Sequence, residues 1–140
     1  MLSKHAQHVV LIHFPIALFI SGVIFDFLAQ RTKWRTFAVV AYYNLLGAAI
    51  SVVPVVATGL FAWQFQLEGQ KLKGILLMHL VLGCTSAILI WAAWGLHARS
   101  RGKFHASYPV FRLGVETVAV AIVGLTGHLG GFLSGVNGPN

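Results

Sequence analysis

The chain is poor in charge and poorest in acid. Of its 140 residues, three are Asp or Glu and ten are Lys or Arg, so only 9% are charged. An average globular protein carries about 25%. A small soluble domain must cover its surface with such groups, and these cannot do it. The acids, Asp26, Glu68 and Glu116, are also too few and too scattered for a carboxylate-bridged di-iron centre, which needs several inward Glu residues. Nor do they supply an acid–base pair for hydrolysis. Cys84 is the only cysteine, which excludes an internal disulfide and a thiolate cluster for zinc or iron–sulfur. It also excludes covalent haem attachment through a CxxCH motif. Between Gly83 and Thr85 it reads as a small packing residue.

What the chain has instead is apolar length. Hydrophobic residues make up 57% and mean hydropathy is +0.79. A membrane-spanning helix needs about 20 apolar residues, and four such runs are present: 9–29, 37–63, 74–97 and 110–132. The first is too long for the apolar stretch of a signal peptide, and Phe27-Leu28-Ala29 is a poor cleavage signal, so it reads as a retained helix. Pro54 sits inside the second run, where a membrane helix tolerates it as a kink. The polar links, 30–36, 64–73 and 98–109, are short and force consecutive helices to be antiparallel neighbours. The expected fold is therefore an all-α membrane protein: an antiparallel up-down four-transmembrane-helix bundle, one domain over residues 1–140.

The charges give this bundle a direction. Arg31, Lys33 and Arg35 lie in the first link and Arg99, Arg101 and Lys103 in the third, with Arg112 close by. The other side carries Lys4, Lys71 and Lys73. The positive-inside rule then puts both termini outside, in the periplasm, and the first and third links in the cytoplasm. The net charge of +7 is accordingly a topology signal. It comes with no basic helix or aromatic platform for nucleic acid. Trp34, Trp63, Trp91 and Trp94 and Tyr42, Tyr43 and Tyr108 lie mostly toward helix ends, as an aromatic belt would.

Histidine outnumbers acid by seven to three. His13, His79 and His128 each sit four or five residues inside the outer end of a different run, which at about 1.5 Å per residue is one layer about 6–8 Å deep. His8 lies just above it, His5 in solvent, and His97 and His105 on the cytoplasmic side. An imidazole in a bilayer is costly unless partnered, so three at one depth suggest a site; the plainer reading is interhelical hydrogen bonding. Imidazoles without carboxylates suit b-type haem, or copper or zinc. Helices one and three are diagonal in an up-down bundle, so His13 and His79 are the expected axial pair. Ala57, Thr58 and Gly59 would make room for the macrocycle. His128 would be a supporting residue, an alternative ligand or part of a quinone pocket. His8 and the link lysines could meet propionates.

Two further features stand apart. Asp26, Arg112 and Glu116 lie toward the cytoplasmic side, where they pair or snorkel, or relay protons. Gly127, Gly131 and Gly135 form a small-residue stripe, for helix packing within the chain, for a homo-oligomer or partner subunit, or for clearance beside a flat cofactor. The candidate cofactor-binding set is thus His8, His13, Thr58, Gly59, His79, Gly127, His128 and Gly131. The expected function is electron transfer between haem b and a quinone or a periplasmic redox protein. A structural subunit with packing histidines, or a copper or zinc site, is the alternative.

The motifs themselves carry a resemblance. His8-Val-Val-Leu-Ile-His13-Phe14-Pro15-Ile16-Ala17, Ala57-Thr58-Gly59-Leu60 followed by Trp63, His79, and Gly127-His128-Leu129-Gly130-Gly131 resemble, over nearly the whole chain, the bacterial membrane family catalogued as domain of unknown function 2231. Val9, Ala62 and Phe132 stand where that family's pattern has a proline and two acids, and the 134–140 tail lacks its basic, His-containing continuation. The resemblance implies a multi-pass protein of the bacterial inner membrane. Relatives joined to redox modules imply electron transfer only by analogy.

Overall fold

The structure is a computed structural model that describes residues 4–66, 71–100 and 111–134, with the side chains of 4–7 and 66 excepted. Glu68, Arg101, Lys103, His105, Tyr108 and Gly135 lie outside the described residues, as does the side chain of His5. Four helices follow one another: α1 Lys4–Thr32, α2 Arg35–Gln66, α3 Gly74–Ser100 and α4 Phe111–Leu133. All four are long and apolar enough to cross a membrane. They extend beyond the apolar runs at most ends, because long polar side chains can continue a helix and still reach water. α2 continues through Pro54 and α1 through Pro15.

The first connection is shorter than its polar composition suggests. Helix α1 ends on Lys33, whose left-handed backbone (φ 62°) caps the helix with a bond from its N–H to the Ala29 carbonyl, 2.9 Å. The Thr32 hydroxyl accepts the Trp34 N–H at 3.2 Å, and α2 begins one residue later. So tight a turn lays α1 along α2 as a hairpin. α3 pairs with α4, α2 with α3 and α1 with α4, the last least extensively, so α1 and α3 are diagonal.

Each helix buries one seam. The seam positions are Phe19, Gly22, Asp26 and Ala29 in α1 and Ala41, Leu45, Ala48 and Val52 in α2, with Pro15, Ala49 and Ala62 also buried. In α3 they are Ser86, Ile90, Ala93 and His97; in α4, Arg112, Glu116, Ala119 and Val123. Steps of alternately three and four keep one stripe facing inward in a left-handed bundle. The opposite faces expose large apolar side chains such as Val10, Phe14, Ile24, Ile50, Phe61, Ile88 and Val118. That is the reverse of a soluble helix: Asp26, Arg112 and Glu116 are inside and the large apolar side chains outside, while the exposed Lys and Arg residues stand at the helix ends, as a lipid solvent requires.

The α1–α2 contact is set by a glycine. A Cβ on Gly22 would lie 2.8 Å from Leu45 Cγ and 3.2 Å from the Leu45 backbone nitrogen, whereas one on Gly114 would meet nothing within 4 Å. Gly22→Ala should therefore destabilise the bundle by about 1–3 kcal/mol, the range for overpacking, and Gly114→Ala should not. Unfolding titrations in mixed micelles would compare them; equal stability of the two variants would contradict this packing.

Candidate functional site: a histidine cavity and a buried ionic cluster

A cavity of ≈ 510 Å³ opens between the two hairpins toward the N-terminal end of α1 and α3. Its size falls within the range of small-molecule and cofactor sites. Its walls are mostly apolar and reach inward to Val52, Ser86, Ile90 and Val123. Two histidines line it, His8 from α1 and His79 from α3, on the diagonal helices.

Both rings are held in one tautomer. His79 Nδ1 lies 3.1 Å from the Thr126 carbonyl, which can only accept, so Nδ1 carries the proton and the lone pair falls on Nε2. His8 Nδ1 lies 3.1 Å from the Thr58 hydroxyl. That hydroxyl gives its own hydrogen to the carbonyls of Pro54 (2.9 Å) and Val55 (3.0 Å), so it accepts from His8. The His8 lone pair therefore also falls on Nε2. A hydrogen-bonded Nδ1 that fixes ring and tautomer is the usual support of a metal-binding imidazole.

Glycines make room for the two rings. A Cβ on Gly59 would approach His8 Cε1 to 3.0 Å, and one on Gly130 would approach His79 Cε1 to 3.1 Å. Gly127 packs against Ile16 of α1, where a Cβ would sit 3.4 Å from Cδ1, so this part of the glycine stripe serves contact within the chain.

The other expected residues lie elsewhere. His13 is exposed, with its Nδ1–H donating to the Val9 carbonyl of its own helix at 2.7 Å, and it does not line the cavity. The structure does not bring His13 and His79 together at this cavity; the histidine of α1 that lines it is His8. The physical reason is rotation about the helix. Five residues at about 100° each turn His13 about 140° away from His8. His128 is likewise exposed, edge-on to Phe132 with ring centroids 4.9 Å apart. His13, His79 and His128 thus do not gather into a three-histidine metal site. Thr58 reaches the cavity through His8, and Gly59 and Gly127 line it; Gly131 does not.

At the opposite end of the bundle the structure assembles a cluster that includes a residue not anticipated there. Asp26, His97, Arg112 and Glu116 are all buried. Arg112 Nη2 donates to Asp26 Oδ1 at 2.6 Å, and Gln30 Nε2 donates to Asp26 Oδ2 at 2.7 Å. His97 Nε2 lies 2.7 Å from Glu116 Oε1 and 3.8 Å from Asp26 Oδ2, and Arg112 Nε is 3.9 Å from Glu116 Oε1. Asp26, His97 and Glu116 offer ligand atoms within 4.8 Å of one another. The guanidinium bound to Asp26 makes this a poor site for a cation.

One signal in the sequence could have found both groupings. His8 and Asp26 are 18 residues apart in α1, and His79 and His97 are 18 apart in α3. Eighteen residues make about five turns, so each pair shares a helix face about 27 Å apart along the axis. A buried acid thus marks its histidine partner's face. His128, 16 residues from Arg112, falls about 160° away.

The fold and these two polar layers define a four-helix integral membrane protein. The chain belongs to the family described as predicted membrane protein (DUF2231), which matches residues 4–138. No curated protein and no solved structure matches it.

Breaking a buried ion pair by removing one partner costs about 3–5 kcal/mol, because the other charge stays buried. Asp26→Ala leaves Arg112 the longer 3.9 Å contact with Glu116, so it should lower stability by the lower end of that range, and Asp26→Ala with Arg112→Met should recover much of the loss. Thermal unfolding in detergent would compare the two; a double variant no better than the single one would argue against the pairing.

Proposed function

We propose that this protein is a membrane electron-transfer protein that holds b-type haem between His8 and His79. The observation that carries the reading is the pair of diagonal imidazoles lining one cavity, each with its lone pair set on Nε2 by a bonded Nδ1. The cavity's apolar walls suit a flat, largely hydrophobic macrocycle, and Gly59 and Gly130 supply the clearance beside each ring. Thr58 and the Thr126 carbonyl orient the two imidazoles, and the hydrocarbon walls exclude water. The haem would supply one-electron redox chemistry. Its electrons would pass to a quinone in the bilayer or to a redox protein at the outer surface, with α1 and α3 beginning on the periplasmic side of the bacterial inner membrane. That orientation rests on the basic residues at the other ends of these helices.

The visible spectrum tests this directly. Protein purified from cells supplied with haem should give a Soret band and a reduced α-band. His8→Ala and His79→Ala should each abolish the bis-imidazole spectrum, and His13→Ala should leave it unchanged. A colourless wild-type protein would sink the proposal; loss of the spectrum in His13→Ala alone would restore the other ligand pair. A structural subunit would be colourless, and a copper or zinc site would give stoichiometric metal on elemental analysis.

A further inference from the structure

We infer that Asp26, His97, Arg112 and Glu116 form a buried proton-binding site that holds one exchangeable proton. The inference is independent of the haem reading, since the two polar layers are about 27 Å apart.

Charge in a low-dielectric interior governs this cluster. Asp26 and Arg112 form a close pair at 2.6 Å and neutralise each other. What remains is Glu116, which is wholly buried, and His97, 7% exposed, in contact at 2.7 Å. Two states of this second pair are neutral overall: an imidazolium beside a carboxylate, or a neutral imidazole beside a carboxylic acid. Both contain the same number of protons. Removing one proton leaves a neutral imidazole, an ionised Glu116 and a net buried charge of minus one. A buried uncompensated charge is strongly disfavoured, so the cluster keeps that proton.

Independent support comes from an orphaned atom. Glu116 Oε2 is buried and has no hydrogen-bond partner among the described residues. An ionised carboxylate accepts at both oxygens, so an empty Oε2 is costly if the group stays charged and gives an added proton a place to reside. Trp94, one turn before His97 on α3, likewise buries its indole Nε1 without a partner among the described residues.

Among the described residues, the groups around the site are few. α1 contributes Asp26 and the neutral Gln30; α3 contributes His97, with Arg99 in the same last turn; α4 contributes Arg112 and Glu116. α2 carries Arg35 at its first position and Tyr42 and Tyr43 toward the same end. His97 lies in the last turn of α3, so the proton has a short route to water at that end of the bundle. The reversible step is proton release from the His97–Glu116 pair to that water. No bond between heavy atoms changes and no electron moves.

The test uses the full chain in lipid nanodiscs with ¹⁵N-labelled histidine. At pH 7 the wild type should show one of two signatures. Either a histidine signal that His97→Gln removes is imidazolium, or an infrared band of a protonated carboxyl is lost in Glu116→Gln. Asp26→Asn removes one negative charge, so the cluster is neutral without the extra proton, and that signature should disappear at pH 7. A wild type in which His97 is neutral and Glu116 ionised at pH 7 would overturn the inference without any variant. So would stoichiometric uptake of Zn²⁺ lost in Glu116→Gln, since the cluster would then be a cation site. Persistence of the proton signature in folded Asp26→Asn would overturn the charge-balance argument.

Discussion

The contact on which the rest of the structure depends is Arg112 to Asp26. Lipid tails are as apolar as leucine, so no hydrophobic force drives these helices together, and their mutual position must come from packing and polar contacts. α1 and α4 pack least extensively among the neighbouring pairs. Their seam is joined by a buried guanidinium–carboxylate bond of 2.6 Å. Glu116, one turn on, ties α4 to α3 through His97. Three helices therefore meet at one small ionic cluster, and the short α1–α2 turn brings the fourth with them.

That closure at one end explains the opening at the other. The two hairpins are clamped by charge where α1 and α3 finish, and a core of Phe19, Leu45, Ile90 and Val123 fills the middle. Toward the start of α1 and α3, the bonds found run within hairpins: His8 to Thr58 joins α1 to α2, and His79 to Thr126 and Ser86 to Thr126 join α3 to α4. The cavity between the hairpins lies there. Its imidazoles are fixed from behind, by the helix beside each one, which leaves the space between them unbridged by their Nδ1 bonds.

The sequence made the class and the number of helices legible because both follow from the length and spacing of apolar runs. The same counting gives each histidine a position along its helix. Rotation about each helix axis was less accessible. A helix that is apolar on every side carries no hydropathy period, so Phe14 and Phe19 read alike although one is exposed and the other buried. Depth alone favoured His13 over His8, and the choice needed an angle. Asp26 supplies one, because a charge within the hydrocarbon must face the interior, and five turns back from it stands His8. His97 does the same for His79, but only once its own burial is known. Its position beside Arg99, at the polar end of the run, gave no reason to expect that burial.

The two layers also differ in kind, and the difference follows from the groups each contains. The cluster end holds formal charges, which in a dry interior are tolerated only when opposite charges lie close together; close pairing fixes geometry and leaves little room. The cavity end uses neutral imidazoles, whose burial is far less costly than that of an ion once Nδ1 is bonded. A neutral imidazole with Nδ1 bonded still presents the Nε2 lone pair, and does so without carrying a charge. Histidine is thus the side chain that can sit in hydrocarbon without a counter-ion and remain a ligand. In a chain with three acids and seven histidines, that distinction separates the end that holds the bundle together from the end that opens into a cavity.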